Sequence, residues 1–224
     1  MKYLYLLIVL FGCSSCLEII DDIKLNIDGS GTIKYTLNLS ESKTKVNSIL
    51  ALDSLDGKKM PDLIKIKAKI NEFEKLLRLE KGISNLHLEK DYENFMFRLS
   101  CDFKSISILQ NSLKKVLNQI NEENLTPKSN FNWLAWNENK LEREIPEISK
   151  NQLKKVPTKD LEKLRQGKYI CITRFENEII SLSNPKAKLS KNKKAVMILA
   201  SPYDILFKPN SFHNLIELKE GNNR

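Results

Sequence analysis

Near the start of the chain, polar and apolar residues alternate with period two on both sides of one glycine turn. Ile23, Leu25 and Ile27 alternate with Lys24 and Asn26, Asp28-Gly29-Ser30-Gly31 follows, and Ile33, Tyr35, Leu37 and Leu39 then alternate with Lys34, Thr36 and Asn38. This pattern predicts a β-hairpin with one buried face, Gly29 and Gly31 supplying the positive φ of the turn. It is not read as a phosphate-binding loop, because it lacks a Gly-Lys-Ser/Thr ending and leads into a strand. The apolar spacing then changes to three and four. Ser40 caps a short helix reaching Leu55, which Asp56-Gly57 breaks. Pro61 opens a longer helix with Leu63, Ile66, Ile70, Phe73 and Leu77 on one face, and Gly82 ends it in a left-handed conformation.

The plan then recurs. Leu86 and Leu88 lead into a turn at Asp91–Asn94, and Phe95, Phe97, Leu99, Cys101 and Phe103 form one face of a strand. The helix that follows turns Ile106, Leu109, Leu113, Val116, Leu117 and Ile120 inward. A polar linker with Pro127 covers 121–130. Phe131, Trp133 and Ala135, then Leu141 and Ile145, predict a third hairpin across Asn137–Lys140. Thr158 caps a short helix that Gly167 terminates. Tyr169, Cys171, Thr173 and Phe175 mark a strand apolar on both faces, and further strands cover Glu178–Ser183 and Ala195–Ala200. The tail from Pro202 reads as a short amphipathic piece, with Tyr203, Ile205, Leu206, Phe212, Leu215 and Ile216, and a polar end. Hairpins alternate with helices and no run of fully apolar βαβ strands occurs. The expected fold is α+β: an antiparallel sheet built from successive β-hairpins, with amphipathic helices packed on one face. Residues 16–224 are read as a single domain, 121–130 being the one candidate boundary.

The first sixteen residues follow a different pattern: Lys2, an apolar run from Tyr3 to Phe11, then Gly12-Cys13-Ser14-Ser15-Cys16. The run is too short to cross a bilayer, which takes about 20 residues, and fits the apolar core of a cleavable signal. Small residues ending in cysteine resemble a bacterial lipoprotein signal, so residues 1–15 are read as removed and Cys16 as lipidated. Cys13 is the alternative, with Leu10 and Gly12 at favourable positions. Cleavage before Cys16 leaves an even pair of thiols, Cys101 and Cys171, for an oxidising compartment, and this parity favours Cys16. Those two either form a disulfide or stay as separate buried thiols, and the sequence leaves both open. Each buried acyl methylene contributes roughly 0.8 kcal/mol, so two or three chains hold the protein to its membrane. The expected location is the cell envelope, at the outer membrane, with the face undetermined.

The formal charge is +9. Lys186, Lys188, Lys191, Lys193 and Lys194 fall together with no acid among them. They read as a lysine-guarded edge, or as a contact for envelope polyanions. Nucleic acid is not an expected partner of an exported, anchored chain. No catalytic, metal or cofactor site is predicted. His87 and His213 sit in no zinc spacing, and no serine has a nucleophile context. The carboxylate pairs Asp21-Asp22, Glu122-Glu123 and Glu142/Glu144 read as solvated charge. One of Trp133 and Trp136 is expected in the core, and the other exposed where it could stack on a sugar.

Ser15-Cys16-Leu17-Glu18-Ile19-Ile20, the Ile23–Leu39 hairpin and Ser183-Asn184-Pro185-Lys186-Ala187-Lys188-Leu189-Ser190 resemble a group of uncharacterised Bacteroidota lipoproteins. A lipidated cysteine followed directly by an Asp-Gly hairpin more distantly resembles the LppM-type lipoproteins. That resemblance implies an α+β soluble domain and a link to lipid. The expected function is therefore a non-enzymatic, membrane-anchored lipoprotein binding a ligand, lipid or another apolar molecule, between sheet and helices. The alternative is a structural or interaction lipoprotein that meets polyanions or a protein partner through its basic edge.

Overall fold

The computed structural model describes residues 17–52, 54–55, 58–59, 62–120, 132–145 and 164–220. The leader with Cys13 and Cys16, the 121–130 linker and residues 158–163 of the Thr158 helix lie outside them; the end of that helix, Leu164–Gln166, is a 3-10 turn before Gly167. The strands are β1 (Glu18–Leu25), β2 (Gly31–Asn38), β3 (Ser54–Leu55), β4 (Lys58–Lys59), β5 (Ile83–Asp91), β6 (Met96–Phe103), β7 (Leu134–Asn137), β8 (Lys140–Arg143), β9 (Lys168–Phe175), β10 (Ile179–Leu182), β11 (Lys188–Leu189), β12 (Ala195–Ala200) and β13 (Asn214–Leu218). The α-helices among the described residues are α1 (Lys43–Leu50), α2 (Leu63–Arg78), α3 (Ile106–Ile120) and α4 (Pro202–Phe207).

A large sheet runs β11-β12-β9-β1-β2-β6-β5, and a smaller antiparallel one runs β10-β13-β8-β7. The fold is α+β, as the hairpin pattern predicts. One pair departs from the antiparallel rule: β1 and β9 run parallel, Ile23 beside Thr173. The second sheet was not foreseen either. It and helices α2 and α3 share one face of the large sheet. Ile23, Leu77, Leu109, Val116, Leu141 and Ile216 are wholly buried there.

Local chemistry explains most elements. Asp62 caps α2 by accepting from the Lys65 N–H at 2.7 Å. Among the described residues of α3, Leu109 and Val116 are buried and Leu117 is 42% exposed, against expectation. Gln110 is buried instead, because it bonds the backbone of Leu134 in both directions, at 2.9 and 3.0 Å, and so ties β7 to the helix. The first arm of the third hairpin is one residue out of the predicted phase. Leu134 points inward and Ala135 outward, since a one-residue slip exchanges the faces of a strand. Residues 214–218, read as tail, form a strand between β10 and β8. Its inward face is Asn214, Ile216 and Leu218. The polar Asn214 hides the alternation.

Cys101 and Cys171 are free and buried. They lie in β6 and β9, with β2 and β1 between. Three strand spacings, about 14 Å, exceed the roughly 4.4–6.8 Å between Cα atoms that a disulfide needs. Of the two alternatives left open, the separate thiols hold. Burial raises both thiols to about 11. A thiol titration of the denatured, unreduced body from Leu17 onward is expected to find two groups, and none while the protein is native. A count of zero after denaturation would mean a bridge.

Candidate functional site

Asp21, read from sequence as solvated, is 7% exposed. The alternation of β1 puts it on the inward face with Ile23 and Leu25, where β8 crosses. Its partner is Arg143, 4% exposed, whose Nη2 donates to Asp21 Oδ2. Arg143 Nη1 donates to Thr173 Oγ1 at 3.0 Å, and the Tyr169 hydroxyl donates to Asp21 Oδ2 at 3.0 Å. Asp21 Oδ1 has no protein donor among the described residues. Burial works against the charge on Arg143, but Asp21, Cys171 and Tyr169 together outweigh it, and the guanidinium pKa stands above its usual value. Burial, then Asp21, pushes the Tyr169 hydroxyl well up. The cluster joins the two sheets through β1, β8 and β9.

A second polar assembly lies where β10 and β13 meet. The loop Ser183–Lys186 faces Asn210, Ser211 and His213 around an open pocket of about 370 Å³. Asn184, buried, organises it: its side-chain amide donates to the Ser211 and His213 carbonyls at 2.9 and 3.0 Å, and its N–H donates to Asn214 Oδ1 at 3.1 Å. The β8–β13 register sets Asn214 opposite Arg143. His213 therefore stands beside Glu144, with Glu142 on the same outward face. His213 Nε2 lies 2.9 Å from Glu142 and 3.9 Å from Glu144. The sequence treated the carboxylate pair and the histidine separately, and only strand pairing brings them together. The three could offer one atom each to a divalent cation, yet every side chain is over 40% exposed. A hydrogen bond between His213 Nε2 and Glu142 holds those two together.

The five lysines do not form one surface. Lys186 lines the pocket and lies near Asp204 in α4. Lys188 stands on the β11 edge. Lys191, Lys193 and Lys194 occupy the β11–β12 turn, beside the end of β9. Since β1 and β9 are parallel, that turn and Leu17 are at opposite ends of the sheet, about 26 Å apart at 3.3 Å per residue. Neither tryptophan is free to stack on a sugar. Trp133 packs on the core under Lys114, 5.9 Å from its ring centroid, and Trp136 stacks on Phe175 at 6.4 Å. His87 is exposed, as its alternation predicts.

On the large sheet's other face, Ile20, Ile170 and Leu199 stand side by side across β1, β9 and β12, with Ile172 and Met197 in the next inward-to-outward repeat. Leu199 is 49% exposed and the other four are half-buried. Such a strip on an antiparallel sheet face is where polar residues are expected.

No protein-family model matches the sequence, and no curated protein matches it. Among solved structures, the chain is similar to the NMR structure of the folded domain of Mycobacterium tuberculosis LppM. The TM-score is 0.42 and the identity 11%, over 94% of this chain and 95% of that one.

Proposed function

We propose that this protein is a lipid-anchored component of the bacterial cell envelope, without catalytic activity, whose body works by contact with another envelope protein. The leader ending in Cys16 supports the anchor and the export. The observation that carries the contact reading is the apolar strip Ile20, Ile170, Leu199, Ile172 and Met197 on the open sheet face. Aligned apolar side chains along an outer sheet face, here half-buried with Leu199 at 49% exposure, are a characteristic of association sites. The expected apolar ligand between sheet and helices has less support. Leu77, Leu109 and Val116 in that layer are at 0% exposure, as in a close-packed interior. The basic edge has less support as well, because Lys186 lines the pocket near Asp204, apart from Lys188 on the β11 edge and from Lys191, Lys193 and Lys194 at the β11–β12 turn.

Native mass spectrometry of the body from Leu17 onward, offered total envelope lipid, separates these readings. The expected result is a bare protein mass. Discrete lipid adducts that survive washing would overturn the contact reading and restore the ligand-binding one.

A further inference from the structure

β1 begins at Glu18, and Leu17 is already held: its carbonyl accepts from the Lys168 N–H at 2.7 Å. An acylated Cys16 would therefore sit one residue, at most about 3.6 Å, from a central strand of the large sheet. No tether would separate body and bilayer. Acylation at Cys13 would add only three residues. So short a connection fixes which part of the body meets the lipid, and the strand register identifies it. Glu18 pairs with Asn38 at the end of β2 and with Lys168 at the start of β9, and Tyr169 pairs with Ala200 at the end of β12. Residues 39–52 and 201–208 consequently project from the same end as Leu17, one group on either side of it.

Both groups have the chemistry of a membrane interface. α1 buries none of its eight residues. Val46, Ile49 and Leu50 lie at spacings of three and four, only half-buried, and Leu52 beyond them is 44% exposed. Helices in a globular body normally bury such a face. α4 carries Phe207, 41% exposed, its ring 4.3 Å from that of Tyr203 and tilted by 30°. The Arg165 guanidinium lies 3.4 Å over the Tyr203 ring. Aromatic residues with a cationic neighbour favour the headgroup level of a bilayer. Two lysines at this end are paired, Lys43 with Glu93 and Lys208 with Asp204.

We propose that this end of the large sheet rests on the membrane surface, with α1 and α4 seated on lipid at either side of the anchor. The proposal rests on the lipid-anchor reading above. It also sends the lysine turn 190–194 away from the anchoring membrane, as the opposite end of the sheet.

The test uses the full chain, acylated in a bacterial host and reconstituted in phosphatidylcholine vesicles with or without brominated acyl chains. Phe207→Trp and Ile49→Trp each place a reporter on one side of the anchor. Trp136 is an internal control, because its ring lies over Gly29 in the far turn. Each reporter is expected to lose roughly half its emission to brominated lipid, as for side chains 5–10 Å into the interface, while the parent tryptophans lose none. A Gly/Ser insert of about six residues between Cys16 and Leu17 is expected to abolish the loss. Flotation with vesicles but no quenching at either reporter would overturn the membrane-seated end and leave the anchor standing. Failure to float would overturn both.

Discussion

Replacing Arg143 with methionine is expected to cost about 3–5 kcal/mol of folding stability, the range for removing one member of a buried ion pair. The variant would leave the Asp21 carboxyl at 7% exposure with only the Tyr169 hydroxyl as side-chain donor among the described residues, and Thr173 would lose its guanidinium partner. For a body of this size the melting temperature should fall by roughly 10 °C or more. The penalty belongs to the uncompensated charge rather than to the attraction. Exchanging both partners, Asp21→Leu with Arg143→Met, should therefore recover most of the loss, since a buried pair and a packed apolar pair of similar volume are often equivalent. Urea unfolding of the single and double variants measures this. A single variant within about 1 kcal/mol of the parent would mean that water reaches the pair, and the two sheets would then need another clasp.

The same pair marks the limit of what the sequence discloses. Alternation around Gly29 predicts the first hairpin, and the three-and-four spacing predicts α2 and α3, because both signals are local. Asp21 carries the same inward phase as Ile23 and Leu25, but a carboxylate at such a position reads as surface unless its partner is known. That partner is 122 residues away in β8. The strand β13 was lost for the same reason: Asn214 faces inward to serve Asn184, and a polar residue in the buried register erases the alternation. Gln110 is buried in α3 because it holds the backbone of Leu134, a partner that no helical pattern announces. The parallel pairing of β1 and β9 joins segments about 150 residues apart, beyond any local period. The site around Asn184 was visible only as a loop. His213, Glu142 and Glu144 become neighbours through β8–β13 register alone.

Gly31→Ala is expected to be as damaging as the loss of Arg143, and for a reason different from the one the turn composition implies. Gly29 has φ +78°, as a turn glycine should, but the positive-φ glycines are Gly29 and Gly82, and Gly31 is not among them. Its requirement is space. A Cβ on Gly31 would overlap the Lys24 carbonyl oxygen and stand 2.8 Å from Phe103 Cζ. Gly31 pairs with Leu25 on one side and Phe103 on the other, at the turn end of the β1-β2-β6 ladder. Phe103 is 3% exposed and cannot swing away without opening the core, and the Lys24 carbonyl belongs to the backbone. Relief therefore demands that β1 and β2 separate at their turn. Overpacking a core ordinarily costs about 1–3 kcal/mol, and a clash with fixed backbone places this variant at the top of that range or above it. Gly29→Ala is the comparison: its Cβ would stand 2.9 Å from Trp136 Cδ1, a side chain that can shift, and the left-handed backbone adds roughly 1 kcal/mol. Denaturant unfolding should rank Gly31→Ala clearly below Gly29→Ala. The reverse order would mean that the turn's backbone conformation, not the close approach of the strands, is what the hairpin requires of its glycines.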